Sequence, residues 1–237
     1  MKICILTIAT NKYIQFVERL LNNIEENFLN GHEIQCLLFT DHEIEESSDN
    51  VKISQIDHEP WPMPTLKRYN YFVKEKEFIS QFDYCYYFDV DMGVVDKVGE
   101  EVFSDLVATM HPYQSFYPKE QRSYDRNPKS LAYVPVGEEG ENYYAGGFNG
   151  GKPEHFLKMA QTIVDNVNKD FENGLVAVWH DESHMNRYLA SNPPTLALNP
   201  SYCYPENVRV NPQGWHVPFE PKIVALDKNH AEVRSES

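Results

Sequence analysis

Ile3-Cys4-Ile5-Leu6-Thr7-Ile8-Ala9, near the start of the chain, is an apolar run without a charged residue. Such a run is typical of a strand that is buried on both faces of a parallel sheet. Apolar residues at helical spacing then cover 13–28, Gly31 marks a stop, and a second apolar run covers 34–39. A strand, a helix and a strand in this order predict an α/β fold with its ligand site beyond the C-terminal ends of the strands.

The rest of the chain continues this alternation of apolar runs and helical patterns. Strands are predicted at 51–56, 84–88 and 175–179, and helices at 65–82, 153–173 and 182–190. Residues 111–151 are rich in Tyr, Pro, Asn and Gly, so loops and short strands are expected there. No repeat or linker divides the 237 residues, and we therefore expect one domain over 1–237.

Charge and composition exclude several classes of function. The chain has 21 Lys and Arg against 36 Asp and Glu, a formal net charge of −15. A field of this sign repels phosphate backbones and anionic lipid, so no nucleic-acid partner is expected. No apolar stretch reaches the ~18–20 residues of a membrane-spanning helix and no signal peptide is recognised, which predicts a cytoplasmic protein. The four cysteines show no CxxC spacing, which argues against a disulfide framework or a zinc site.

Asp89-Val90-Asp91 directly follows the aromatic run at 84–88. Because side chains alternate along a strand, both carboxylates can point the same way at the strand end. Two hard oxygen ligands on a rigid edge suit Mg²⁺ or Mn²⁺, which would also hold a diphosphate. The other interpretation is a solvated turn, since a DxD tripeptide is common.

Two further segments contain residues suited to chemistry. In Trp-His-Asp-Glu-Ser-His at 179–184, Asp181 or Glu182 would face an electrophilic carbon, or Asp181 would cap a helix. Tyr-Tyr-Ala-Gly-Gly-Phe-Asn-Gly-Gly at 143–151 would let backbone approach a ligand closely, or would form two β-turns. The acidic chain also has cations that could together neutralise a diphosphate, namely Lys67, Arg68, Lys228, His230 and Arg234.

The combination of these segments resembles the family of the histo-blood-group A and B transferases and the α1,3-galactosyltransferases, glycosyltransferase family 6. Seven segments occur in the family's order: Phe39-Thr40-Asp41, Asp89-Val90-Asp91-Met92, Thr109-Met110-His111-Pro112, and the stretches 124–135, 143–151, 178–184 and 228–234. The resemblance implies a GT-A fold, a single α/β domain with a central mixed, mostly parallel sheet flanked by helices. It also implies that a sugar is transferred with retention from a UDP donor to O3 of a galactoside.

The resemblance further implies roles for individual residues. It assigns Asp89 and Asp91 to binding of Mn²⁺ or Mg²⁺, and His111, Trp179 and Glu182 to binding of the acceptor. The residues assigned to the UDP-sugar donor are Ile8, Ala9, Thr10, Tyr13, Arg68, Val90, Ala145, Gly146, Gly147, Asp181, Lys228 and Arg234. Glu182 is the expected catalytic residue, a carboxylate that stabilises or captures the oxocarbenium carbon. Gly147 leaves room for an acetamido group, so UDP-GalNAc is favoured over UDP-Gal.

Three expectations concern the surroundings of this site. The tail 227–237 is expected to be mobile and to order over bound UDP, which would exclude water. The expected acceptor is a galactoside or a fucosylated galactoside. Two alternatives stay open, a UDP-sugar hydrolase and a non-catalytic sugar-nucleotide-binding protein on the same scaffold. Binding alone does not require Asp89, Asp91 and Glu182 together, which argues against the second alternative.

Overall fold

The computed structural model describes residues 1–44, 50–207 and 218–234. In this part of the chain the strands are β1 Lys2–Ala9, β2 Glu33–Thr40, β3 Val51–Gln55, β4 Tyr84–Phe88, β5 Met92–Val94, β6 Leu106–Met110, β7 Tyr144–Gly151, β8 Leu196–Leu198, β9 Tyr204–Pro205 and β10 Ile223–Ala225. The α-helices are α1 Val17–Asn27, α2 Met63–Leu66, α3 Arg68–Lys74, α4 Lys76–Ile79, α5 Pro153–Glu172, α6 His180–Ser191 and α7 His230–Val233. Short 3₁₀ helices cover Asn11–Phe16, Glu100–Val102, Gln114–Phe116, Lys119–Gln121 and Pro200–Cys203.

The main sheet has the strand order β3-β2-β1-β4-β7-β6-β8. The pairs β3-β2, β2-β1, β1-β4 and β6-β8 are parallel, whereas β7 runs antiparallel to both β4 and β6. A small second sheet, in the order β5-β10-β9, lies beside it. The predicted fold class is therefore confirmed: an α/β fold whose mixed, mostly parallel sheet is flanked by helices.

Both faces of the main sheet are buried. On one face α3, α5 and α6 supply core residues such as Phe72, Phe156 and Met185. On the other face α1 and the small sheet cover Phe88 and Phe148. Because β1 and β2 are covered on both sides, their sequences are apolar without alternation, which made them recognisable.

Several predicted boundaries are wrong. The helix predicted at 65–82 is divided among the short helices α2, α3 and α4, and the helix predicted at 13–28 begins as a 3₁₀ helix before α1. The segment 175–179, predicted as a strand, is irregular and half exposed. Gly174, at φ +71°, turns the chain away after α5, and the Val178 N–H donates to the side chain of Asp125 at 2.9 Å instead of to a neighbouring strand. Asp181 does not cap α6, which begins at His180.

Three segments lie outside the described residues: the acidic stretch 45–49, residues 208–217 and the end of the chain at 235–237. The tail predicted to be mobile thus continues past the last described residue, and its mobility stays a prediction. Within the described residues no helix is long and apolar enough to cross a membrane.

Candidate active site

A cleft of about 770 Å³ opens beyond the C-terminal ends of β1 and β4, where the α/β topology predicts a ligand site. Its walls come from these two strand ends, strand β7, the start of α6 and the segment around α7. Each residue that the resemblance assigned to donor, acceptor or metal lines this cleft, except Ala9. Ala9 is fully buried at the end of β1 and contributes to the core instead.

Asp89 and Asp91 lie on a turn that follows β4, so the argument from strand alternation was wrong. Strand β4 ends at Phe88, and the Met92 N–H donates to the Asp89 carbonyl at 3.0 Å to close the turn. This turn is not simply solvated, because Asp91 is 7% exposed. The turn is also tied to β7, since the Asp89 N–H donates to the Gly147 carbonyl at 2.9 Å.

Each of these two carboxylates is met by a cation of the chain itself. Nη2 of Arg68 lies 3.1 Å from Oδ1 of Asp89, and the hydroxyl of Tyr87 donates to the same oxygen at 2.5 Å. The ammonium of Lys228, just before α7, contacts Oδ2 of Asp91. The two carboxylates therefore concentrate negative charge in this part of the cleft, and cationic side chains bind to them.

The donor set fits a Mg²⁺ or Mn²⁺ ion that is held together with a substrate. No group of three or more His, Cys, Asp or Glu side chains suited to a metal occurs in the described ranges, so a closed protein site is not built there. Mg²⁺ is commonly bound by one or two carboxylates and completes its shell with substrate phosphates and water. Asp89 and Asp91, two hard oxygen ligands in one cleft, match that pattern.

Arg68 joins the three segments that the sequence singled out. Its Nη1 donates to the Gly146 carbonyl at 2.9 Å, and its Nε lies 3.3 Å from Oδ2 of Asp181. The guanidinium also stacks over the ring of Tyr87 at 4.5 Å and pairs with Asp89. Because Arg68 is buried between two carboxylates, its positive charge is partnered within the chain itself.

Strand β7 bulges at the cleft. Ala108 of β6 pairs with Asn149, but the next residue, Thr109, pairs with Ala145, so residues 146–148 have no partner in β6. The bulge turns the polar groups of Gly146 into the cleft. A methyl group at Gly146 would lie 3.2 Å from Nη1 of Arg68, so the guanidinium would have to shift to admit a side chain there.

Glu182 accepts one hydrogen bond on each carboxylate oxygen. The Gly146 N–H donates to Oε2 at 2.9 Å, and the hydroxyl of Tyr143 donates to Oε1 at 3.1 Å. Burial raises the pKa of Glu182 to about 7. The hydrogen bond from the Gly146 N–H favours the charged form and opposes this rise, whereas the charge of neighbouring Asp181 adds to it. The result is a carboxylate fixed in orientation and poorly compensated in charge.

Asp181 beside it has a different environment. It is 1% exposed, and burial raises its pKa to about 6, although the charge of Arg68 opposes the rise. Asp181 is therefore an anchor for Arg68 in the first turn of α6, where a helix also favours an acidic side chain.

His111 and Trp179, which the resemblance assigned to the acceptor, also line the cleft. His111 accepts the N–H groups of Tyr113 and Gln114 on Nδ1 at 3.1 and 3.2 Å, and burial lowers its pKa to about 4. The imidazole is thus neutral and carries its proton on Nε2. Trp179, 50% exposed, lines the same cleft.

Sequence reasoning missed some of the residues that build this site. Trp61 lies edge-on to His180 at 5.0 Å and receives the guanidinium of Arg234 at 4.6 Å from its ring. No sequence pattern singled out Trp61 as part of the site. Tyr143 was named only as part of an aromatic and glycine-rich segment, and its bond to Glu182 had no sequence signal.

Comparison with known proteins agrees with this geometry. A family model described as glycosyltransferase family 6 matches residues 1–235. Histo-blood group ABO system transferase 1 of Rattus norvegicus is 34% identical over 96% of this chain and 67% of its own length. Globoside alpha-1,3-N-acetylgalactosaminyltransferase 1 of Homo sapiens is 29% identical over 96% of this chain and 67% of its own. O-antigen biosynthesis glycosyltransferase WbnI of Escherichia coli is 30% identical, covering 96% of this chain and 95% of its own.

These matches run along almost the whole chain, so they include the turn at 89–91, the bulged strand and the start of α6 together. They confirm the resemblance and the transferase activity inferred from the seven sequence segments, and the alternatives of a hydrolase and a binding protein are not favoured. The chain is a glycosyltransferase and belongs to glycosyltransferase family 6.

Proposed function

We propose that the protein transfers GalNAc, or Gal, from its UDP-sugar to O3 of a galactoside acceptor and forms an α1,3 linkage with retention. The observation that carries the proposal is one cleft that brings together Asp89, Asp91, aromatic residues and Glu182, whose carboxylate is bonded on both oxygens. Relatives named as an α-1,3-N-acetylgalactosaminyltransferase and an O-antigen glycosyltransferase support this choice of reaction.

At the donor end, Asp89 and Asp91 would hold Mn²⁺ or Mg²⁺, which supplies positive charge to the departing diphosphate. The chain contributes its own cations to the same task. Lys228 and Arg234 line the cleft within one segment, and Lys228 already contacts Asp91. Positive charge placed where a leaving group becomes negative lowers the barrier to its departure.

At the anomeric carbon, Glu182 stabilises the positive charge that develops as the bond to UDP breaks. The Gly146 N–H and the Tyr143 hydroxyl hold its two oxygens, so the carboxylate does not have to reorient during the reaction. Its raised pKa means that the proton must be lost before the group can act, and activity therefore depends on pH near 7.

Donor choice depends on Gly147 in this proposal. A methyl group there would lie 3.1 Å from Sδ of Met92 and 3.2 Å from Oδ2 of Asp89, so the residue borders the metal side of the cleft. Gly147→Ala is expected to shift the preference from UDP-GalNAc towards UDP-Gal. Gly99→Ala is the control, because Gly99 does not line the cleft and its methyl group would meet only the side chain of Glu101. An unchanged donor ratio in Gly147→Ala would mean that another residue selects the sugar.

The deciding experiment is UDP release from a panel of UDP-sugars, with Mn²⁺ or a chelator, and with or without a β-galactoside or fucosyl-galactoside. We expect release from one donor that depends on Mn²⁺ and is stimulated by the acceptor, with an α1,3-linked product by NMR. Release that the acceptor does not change would identify a UDP-sugar hydrolase. Donor binding without release on any acceptor would identify a sugar-nucleotide-binding protein.

A further inference from the structure

Asn186 lies on α6, one turn beyond Glu182, and only 1% of its surface is exposed. Its Oδ1 accepts the N–H of Tyr144 at 2.8 Å, and its Nδ2 donates to the carbonyl of the same residue at 2.8 Å. The same Nδ2 also donates to the carbonyl of Glu182 at 3.0 Å. An amide that exchanges both bonds with one residue of a strand takes the place of a neighbouring strand.

Tyr144 needs the amide of Asn186 as a hydrogen-bond partner because β4 ends before it reaches this residue. The pairing of β4 with β7 ends at Phe88 and Phe148. Tyr144 lies four residues before Phe148, at the start of β7, where β4 no longer runs beside the strand. The N–H and carbonyl of Tyr144 on that side are buried with the rest of the residue, which is 4% exposed. Leaving buried peptide groups unpaired is costly, and the amide of Asn186 satisfies both of them.

The pairing ties α6 to β7 at two points. Glu182 and Asn186 are separated by four residues, so they lie on the same face of the helix. Asn186 bonds to Tyr144, and Glu182 bonds to Gly146, two residues further along the same strand. The position of the Glu182 carboxylate against the Gly146 N–H therefore depends on the register of the helix on the strand, and Asn186 sets that register.

We propose that Asn186 is a positioning residue for the transfer reaction, which holds α6 on β7 so that Glu182 sits between the Gly146 N–H and the Tyr143 hydroxyl. The inference rests on the proposed function, in which Glu182 acts at the anomeric carbon. Asn186 itself does not contact the cleft. The titratable and charged groups that face Glu182 from its own helix and from neighbouring elements are Tyr143, Asp181, Arg68, Tyr69 and Cys203.

Two substitutions test the proposal. Asn186→Leu keeps the volume of the side chain but removes its hydrogen bonds, and Asn186→Gln keeps the amide but moves it outward by one methylene. In both variants we expect kcat to fall at least about tenfold while the donor KM changes by less than about threefold. We also expect the pKa of Glu182, read from its carboxyl ¹³C resonance, to rise, because the Gly146 N–H that favours the charged form is displaced.

Leu189→Ala is the matched control, since Leu189 is a core residue of the same helix, is 2% exposed and belongs to the core cluster that also contains Tyr144, so its loss weakens the packing of α6 without removing a hydrogen bond to β7. It should lower the melting temperature without moving the Glu182 resonance or its pKa. If Asn186→Leu does not fold, Asn186→Gln and its titration decide the question. Asn186 variants that match Leu189→Ala in kcat and in the Glu182 titration would overturn the proposal. A wild-type protein without transfer would refute the proposed function, whereas the titration would still decide the positioning role.

Discussion

The turn at 89–91 and the start of α6 bring acidic side chains to the same cleft by opposite means. On the turn, Asp89 and Asp91 are each met by a cation of the chain, Arg68 and Lys228. At the start of α6, Glu182 is met by an N–H and a hydroxyl, and burial raises its pKa to about 7. The first region is suited to exchange one cation for another, and the second is suited to meet a positive charge that exists only during the reaction.

The largest expected effect comes from removing the charge of the turn. Asp89→Asn with Asp91→Asn leaves two neutral amides where the diphosphate and its metal ion would be held. We expect a loss of at least about 10³-fold in turnover and a loss of Mn²⁺ binding by electron paramagnetic resonance. Asp96→Asn, which removes an exposed carboxylate just after β5, is the control and should change neither. Full activity of the double variant in chelator would contradict a metal role for this turn.

Glu182→Gln tests the second region alone. The amide oxygen can still accept one hydrogen bond, but the charge that stabilises the anomeric carbon is gone. We expect kcat to fall at least about 10²-fold with Mn²⁺ and UDP binding unchanged, which separates the two regions. Glu172→Gln removes an exposed carboxylate at the end of α5 and is the matched control. A near-normal rate in Glu182→Gln would remove this residue from the chemistry.

Lys228→Met tests whether the turn exchanges cations. Without the ammonium, Asp91 has lost its partner, so we expect Mn²⁺ to bind the donor-free protein about tenfold more tightly by calorimetry. The donor KM should rise at the same time, because Lys228 no longer meets the diphosphate. Lys129→Met, at an exposed position on a loop, is the control. Equal Mn²⁺ affinity in Lys228→Met and in the wild-type protein would mean that Lys228 and the metal ion do not compete.

The same contrast explains what could be predicted from the sequence. Runs that are covered on both faces, such as β1, β2 and β4, were found because burial leaves a continuous apolar signal. The residues around the cleft were placed through the order of the seven segments, because their positions follow from a resemblance rather than from periodicity.

What escaped prediction depends on contacts between distant parts of the chain. The bulge at 146–148 requires β6 to be in place, and the amide pair between Asn186 and Tyr144 requires β4 to stop early. The apolar run 175–179 was mistaken for a strand because periodicity does not distinguish a buried run from one that lines the mouth of a cleft. Such features carry no local pattern and appear only with the folded sheet.

The smallest expected effect is thermodynamic, and it separates the two regions without any substrate. Burial raises the pKa of Glu182 from 4.5 to about 7 on folding, so between these pH values the native state holds a proton that the unfolded state has released. The free energy of unfolding contributed by Glu182 is therefore fully present below pH 4.5, falls as pH rises and levels off above about pH 7. A shift of this size corresponds to about 3 kcal/mol. Because Glu182 is partly exposed to the cleft, the wild-type protein should lose on the order of 1–2 kcal/mol relative to Glu182→Gln across this window in urea titrations. Asp96→Asn, in which Glu182 is intact, should follow the wild-type curve. If the free energy of unfolding of the wild-type protein followed the same pH dependence as that of Glu182→Gln, Glu182 would be solvated like an exposed carboxylate. The two regions would then differ in the partners of their carboxylates and not in burial.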